Sequence, residues 1–479
     1  TFTGGSYNVV WDKSDNQLEF ADNAKLSFGA DADLQLWHNG NHSNIKNSTG
    51  RLYILADDIW IKDGNDGDIH ARFLHDDASE LYFDGGKKLE TTNTGVTVTG
   101  IVAATSFSGS GEGLTRTTPL SHRNRIINGD MQVNQRVGGT ETTITNGTLH
   151  YVIDRYAMYE STSGSATVTQ VTSGYAASHT GSGKAMRIKT TGADTSLGGS
   201  AQLMFFQYIE GYNWEDLRFG TANAKSFTVS FSILASGASA GNVTGTYCVN
   251  ATNAPNFNRT YVKEYTIDAI DTWKRVSLTF PGDTSGSWGT GNGAAIRIGW
   301  SFAGPNSQEG AADTWHSSYK GSTSNQKNGM ANVNNFYFIT DIQVEEGTVA
   351  TPFERRNYAE ELARCQRYFY RVSTTASGTG QYKHLGTMQY YSGNNPYGKM
   401  LDLPVPMRTI PTGSFTGDIR PWTAGGSPNG SFTTINFDRN DNLFLGSNGS
   451  TTNQNSGSAG NATPITLWTS SSMTADAEL

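Results

Sequence analysis

The chain has 479 residues, of which 55 are glycine, 16% are charged and 11% are aromatic. That length exceeds one ordinary core and predicts two to four domains. The aromatic content excludes general disorder, and low charge with abundant Gly, Ser, Thr and Asn predicts an all-β chain rich in turns. Charge is uneven: residues 1–115 hold 17 acidic and 8 basic side chains, net −9, and the remainder holds 26 and 27, net +1. A basic nucleic-acid footprint is therefore excluded, and without a run of about 18 apolar residues no helical membrane insertion is expected.

Residues 1–115 read as a repetitive β shaft. The opening T-F-T-G-G-S is not a signal peptide and is compatible with a truncated start. Apolar pairs recur two residues apart: Leu18/Phe20, Leu26/Phe28, Leu34/Leu36, Leu52/Ile54, Ile59/Ile61, Leu81/Phe83 and Val96/Val98. Turn formers such as D-N, N-G-N and D-G-G separate them. Two inward side chains per strand are too few for a monomer to bury a sound core. Three chains wound about an axis solve that, so the expectation is a trimeric β-prism or β-helix-like shaft. His38, His42, His70 and His75 lie here among aspartates, and polar turn residues are the simpler reading than a metal site. Gly109, Gly111 and Gly113 mark a hinge.

Residues 116–352 hold about ten short strand-like runs with Gly/Ser/Asn turns, the pattern of a two-sheet sandwich. Arg125–Val133 is read as the first strand. Trp273 and Trp300 sit within strand patterns and are expected in the core. Trp288 (G-S-W-G-T-G) and Trp315 (D-T-W-H-S-S-Y) lie in loops, where an indole can stack on the flat apolar face of a pyranose or simply pack the loop.

The clearest local grammar runs from Phe336 to Arg371. Phe336, Phe338, Ile342 and Val344 alternate as one buried strand face. Thr351, Pro352 and Glu354 then read as N-cap, first helical position and capping-box acid. Tyr358, Leu362, Cys365 and Phe369 follow at helical spacing, so residues 353–372 are predicted to form one connecting α-helix. Residues 373–479 are expected to form a small β-sandwich tip, with Leu401–Gly413 carrying an edge strand around Pro404 and Pro406. Tyr390, Tyr391, Tyr397, Trp422 and Trp468 are its aromatic candidates for saccharide stacking. Cys248 and Cys365 read as two buried free thiols.

Several of these stretches carry resemblances. D-I-Q-V-E-E-G-T-V-A-T-P-F-E-R-R-N-Y-A-E-E-L-A-R-C-Q-R-Y-F resembles a recurrent segment of tail-fibre and host-binding appendage proteins of tailed phages, especially those of marine cyanobacteria. N-R-I-I-N-G-D-M-Q-V-N-Q-R (Asn124 to Arg136) resembles the segment that opens the same module, and the spacing between the two matches a jelly-roll β-sandwich. Leu34 to Ile54 resembles a repeat of marine phage fibres. The alternations S-F-T-V-S-F-S-I-L and W-K-R-V-S-L-T-F resemble carbohydrate-binding jelly rolls. Such modules often hold a structural Ca2+, which would fall on Asn128, Asp130 and Asp341; capping of strand ends is the plainer role for these side chains. The resemblance implies a homotrimeric virion appendage that joins tail proteins at its N-terminus and meets host polysaccharide or lipopolysaccharide.

Sequence motifs for hydrolases, zinc proteases and nucleotide binding are missing. Adjacent carboxylates such as Asp57–Asp58 and Glu360–Glu361 diverge on a strand or helix and make poor acid/base pairs. The expected function is non-enzymatic adhesion by a tail fibre to host-surface glycan. The alternatives are a tailspike that degrades polysaccharide and a fibre that decorates the capsid.

Overall fold

A computed structural model gives the fold and describes residues 2–3, 5–65, 67–103, 122–136, 138–179, 181, 183–304, 306–374, 382–392, 395–421, 431–432, 435, 437, 442–445, 451–452, 460, 462–468 and 470–479. The chain divides into two compact units, Thr1–Leu114 and Thr115–Leu479.

The first unit is a series of antiparallel hairpins in three sheets. Phe2–Thr3, Asn8–Asp12 and Gln17–Phe20 form one; Leu26–Phe28, Leu34–His38 and Ser43–Asn47 form the next. A five-stranded meander runs through Asp58–Lys62, Ile69–Leu74, Ser79–Phe83, Gly86–Thr92 and Gly95–Val98. The turn chemistry is legible: Phe83 pairs with Gly86 across Asp84 and Gly85, which both have positive φ (51° and 68°), as a two-residue hairpin turn demands. The apolar pairs lie in strands except Leu52/Ile54, which fall in irregular chain. Among the described residues of this unit, the only buried apolar side chains are Ala24 and Ala71. Trp11, Phe28, Tyr53 and Phe83 are each more than half exposed, and Leu55 is 88% exposed.

The second unit centres on a β-sandwich. One sheet has six strands in the order Thr142–Ile144, Ser165–Val171, Ala185–Gly192, Phe336–Glu346, Phe227–Ser236, Lys274–Phe280. The facing sheet has seven: Leu149–Ile153, Tyr156–Glu160, Leu203–Glu210, Ala294–Ala303, Gly245–Asn253, Thr260–Ile267, Trp315–His316. Alternate residues of both sheets meet in one core that includes Phe205, Phe231, Tyr247, Ile298, Trp300 and Ile339. Each such large apolar side chain contributes about 1.5–3 kcal/mol when removed from water. Trp300 is wholly buried, as expected; Trp273 is not, because it sits in a separate cluster on the outer face of the six-stranded sheet.

Arg125–Val133 forms no strand. It is an irregular segment that hydrogen-bonds to the end of Phe336–Glu346: Arg125 N donates to Val344 O, and Ile342 N to Gly129 O. The connecting helix is shorter than expected, Tyr358–Gln366, and its cap is Asn357, whose side chain accepts from Ala359 N. Thr351 does not cap it, because Glu345 takes both its amide and its hydroxyl. Glu354 is likewise engaged, accepting from the backbone amides of His122 and Asn124. Cys365 and Tyr368 pack with Ile127 and Val133 in a small core of their own.

Beyond the helix, Phe369–Ser373, Ser472–Asp476 and Thr412–Thr416 make a three-stranded sheet. Ile419–Pro421, Ala462–Leu467, Lys383–Ser392, Asn395–Asp402 and Asn442–Leu445 make a five-stranded one. The expected edge strand through Pro404 and Pro406 is absent: the strand stops at Asp402, and Leu403 and Met407 turn into the local core instead. The last residues dock on the sandwich, where buried Arg155 pairs with Glu478 and Arg136 Nη2 lies 2.9 Å from the same carboxylate. Both cysteines are free and buried. Among the described residues no helix is long and apolar enough to cross a membrane.

Candidate functional site

The strand Phe336–Glu346 contains the fault that builds the site. Its register against Phe227–Ser236 shifts between Ser230 and Ser232, and Asp341 sits there in the left-handed region at φ 50°. A residue inserted in this way reverses the side-chain alternation beyond it. Tyr337 and Ile339 point into the sandwich core before the bulge, and Ile342 and Val344 after it. Phe336 and Phe338 therefore face outward, contrary to the single buried face that spacing alone predicts.

The two sequence motifs clamp this bulge. Ile342 N donates to Gly129 O at 2.8 Å. Asn124 Nδ2 donates to Ile342 O at 2.9 Å, and Asn124 Oδ1 accepts from Val344 N at 3.0 Å. A Cβ on Gly129 would lie 2.2 Å from Ile342 O, so the glycine of N-G-D is required by close backbone approach. Arg356 donates to the carbonyls of Asn124 and Ile126, which fixes the chain after the strand against the chain before the sandwich.

Among the described residues, one cavity adjoins the clamp and two lie on the outer side of the six-stranded sheet. The first, about 200 Å³, lies between the clamp and the helix and is lined by Asp130, Phe353, Arg355, Tyr358 and Glu361 among others. The second, about 380 Å³, shares Phe353 and adds His179, Ser232, Trp273, Arg275 and Asp341. The third, about 320 Å³, is lined by Tyr175, Arg187, Phe336 and Phe338 among others. The His179 ring meets Trp273 edge-on at 4.6 Å, Tyr175 meets Phe338 at 5.3 Å, and the Trp273 indole donates to Tyr175 O at 2.9 Å. Trp273, Tyr175 and Phe336 are only partly buried, so a track of rings runs over the sheet.

Its polar groups are unusual. Asp341 is 6% exposed, and its Oδ1 has no hydrogen-bond partner among the described residues. Its Oδ2 lies 3.5 Å from Arg355 Nη2 and 3.8 Å from His179 Nδ1. Burial holds His179 below its ordinary pKa, with Asp341 opposing. Burial pushes the Asp130 carboxyl up to about 6, and the charges of Glu361 and Asp341 push the same way. Ring faces beside an unsatisfied acceptor and cationic donors can hold a molecule that is apolar on its faces and hydroxylated at its edges.

The residues singled out by sequence are placed differently. Trp288 and Trp315 do come together, with centroids 5.7 Å apart, but both pack edge-on against Phe219 at the margin of the core. Their indoles donate to Ser285 O and Pro281 O; Trp288 thereby anchors its loop, and Trp315, expected in a loop, lies in the edge strand Trp315–His316 paired with Tyr261. The Asn128 side chain is engaged within the protein: Nδ2 donates to Val133 O and Asp154 O, and Oδ1 accepts from Val133 N. Asp130 and Asp341 line adjoining cavities but, among the described residues, belong to no group of three ligand-type side chains. Among the described residues the one such group is Asp12, Asp15 and Glu19, exposed acids of one hairpin, and the N-terminal histidines form none. Tyr390, Tyr391 and Tyr397 lie in strands, but their side chains fall outside the described residues, as does all of Trp422. Trp468 is half-buried and stacks on Tyr382 at 5.9 Å, with Arg420 over its ring. Spacing alone passed over Trp273, His179, Tyr175, Phe353 and Arg355. The signal available was the polar pair Thr340–Asp341 interrupting an apolar strand.

Neither a protein-family model nor a curated protein matches the chain. Among solved structures it is similar to the carbohydrate-binding module TmCBM61 in complex with β-1,4-galactotriose, at 11% identity and TM-score 0.23, over 47% of this chain and 99% of that one. It is similar to the enzymatically active domain of tailspike protein 4 of bacteriophage CBA120, at 11% identity and TM-score 0.24, over 47% of this chain and 21% of that one. A family 11 carbohydrate-binding module from Clostridium thermocellum follows at 12% identity and TM-score 0.22, over 44% and 98%. Likenesses of this size carry no functional argument, and the reading of the site stands on its geometry.

Proposed function

We propose that this protein is a non-enzymatic adhesin of a phage virion, a trimeric tail fibre that binds host-surface polysaccharide through the ring track on its six-stranded sheet. The observation that carries the reading is the track itself: partly buried Trp273, Tyr175 and Phe336 beside the cavity that holds Asp341, His179 and Arg275. Pyranose rings offer apolar faces to the aromatics and hydroxyls to the polar edge. The N-terminal unit supports the assembly. Its apolar side chains lie open in a single chain, and three copies about an axis would cover them. Three weak sites on one fibre raise avidity without a strong single site.

A glycan array probed with the full chain and with Trp273→Ala tests the binding, and light scattering tests the assembly. Selective glycan retention that Trp273→Ala loses, with a mass three times 51.7 kDa, is the expected result. A monomer in solution would remove the shaft from the account. One observation favours the tailspike alternative: Asp130, with its raised pKa, and Asp341 line adjoining cavities. Release of reducing ends from a bound polysaccharide, abolished by Asp130→Asn, would put cleavage first. Attachment to tail or capsid is decided by labelling the virion.

A further inference from the structure

Asp341 stands apart from the other polar groups beside the ring track. It occupies a left-handed backbone conformation in the middle of a strand, at φ 50°, a region that Asp and Asn enter more readily than other non-glycine residues. Its carboxylate is more than nine-tenths buried, yet Oδ1 has no partner among the described residues. A buried, unpaired acceptor carries a desolvation penalty that a ligand donor can relieve. The surroundings say which donor. Arg355 and His179 flank the other oxygen, and Arg275 Nη1 donates to the Asp341 backbone carbonyl. A cation would enter beside the Arg355 and Arg275 guanidiniums, whereas a neutral hydroxyl meets no such opposition. An anionic sugar group would be set against the carboxylate itself.

Resting on the glycan-binding reading above, we infer that Asp341 Oδ1 accepts a hydroxyl of a neutral saccharide stacked beside Trp273. The track thus selects neutral glycans over uronates and sulfated ones. Asn and Asp both tolerate the left-handed region, so Asp341→Asn keeps the bulge while replacing the carboxyl with an amide. Asp341→Gly relieves the backbone and removes the group altogether.

The test is titration calorimetry on the full chain with matched neutral and uronate oligosaccharides, in EDTA and in calcium, for wild type, D341N, D341G and W273A. The inference expects a neutral ligand to be preferred, unchanged by EDTA, and bound about 10-fold or more weakly by D341N and D341G, with a cooperative melting transition showing that both variants remain folded. If W273A abolishes binding while both Asp341 variants bind as wild type, the inference is overturned and the glycan reading survives. Preference for the uronate, or binding that needs calcium, also overturns the inference. If no variant alters the binding of any saccharide, both the inference and the track reading fall.

Discussion

Gly129→Ala perturbs the smallest feature on which the site depends. The new Cβ would lie 2.2 Å from Ile342 O and 3.2 Å from Asn124 Nδ2. The carbonyl cannot retreat freely. It accepts from Asn124, and its own residue's amide donates to Gly129 O. Overpacking costs about 1–3 kcal/mol, and each of the two hydrogen bonds put at risk is worth about 1 kcal/mol. The substitution should therefore destabilise the second unit by about 2–5 kcal/mol, a large part of a usual 5–15 kcal/mol. Urea denaturation followed by tryptophan fluorescence measures it. Gly198→Ala is the control, since nothing lies within 4 Å of its Cβ position, and it should stay within about 0.5 kcal/mol of wild type. A loss below about 1 kcal/mol in Gly129→Ala would refute the clamp.

Asp130→Asn should stabilise the fold in a pH-dependent way. The folded state holds its proton more tightly than the unfolded chain, from 3.8 to about 6, so its contribution is full below 3.8 and is lost as pH rises through about 6. The gain from Asn should reach up to about 3 kcal/mol above pH 7 and vanish below pH 4 in denaturation curves; a pH-independent effect would contradict the cause given. In the N-terminal unit, Phe83→Ser tests whether 73% exposure persists in solution. An isolated chain should lose almost nothing, whereas an assembled shaft should lose about 3 kcal/mol or more and fall to lower mass in light scattering.

Periodicity and turn chemistry suffice for the all-β class, for most of the short strands of the N-terminal unit and for a central two-sheet sandwich, though not for Arg125–Val133, which forms no strand. The turn at Asp84–Gly85 and the buried alternation of Ile342 and Val344 follow directly from residue type. The site was hidden because one bulge at Asp341 reversed the facing of Phe336 and Phe338, and no local pattern announces where two strands slip register. The helix start was misplaced for a related reason. Thr351 and Glu354 have the right chemistry for a cap, but Glu345 and the amides of His122 and Asn124 claim them through long-range contacts. Trp288 and Trp315 looked like exposed loop rings, yet Phe219 and two backbone carbonyls tie them to the core margin. In each case a partner distant in sequence decided the outcome.

Whether saccharide binds on the outer face of the six-stranded sheet is decided by a crystal structure of the full chain soaked with an oligosaccharide that it retains on an array. Sugar density is expected against the Trp273 ring, with a hydroxyl on Asp341 Oδ1. Density confined to Trp288 and Trp315, or to the sheets beyond Phe369, with an empty track, would contradict it.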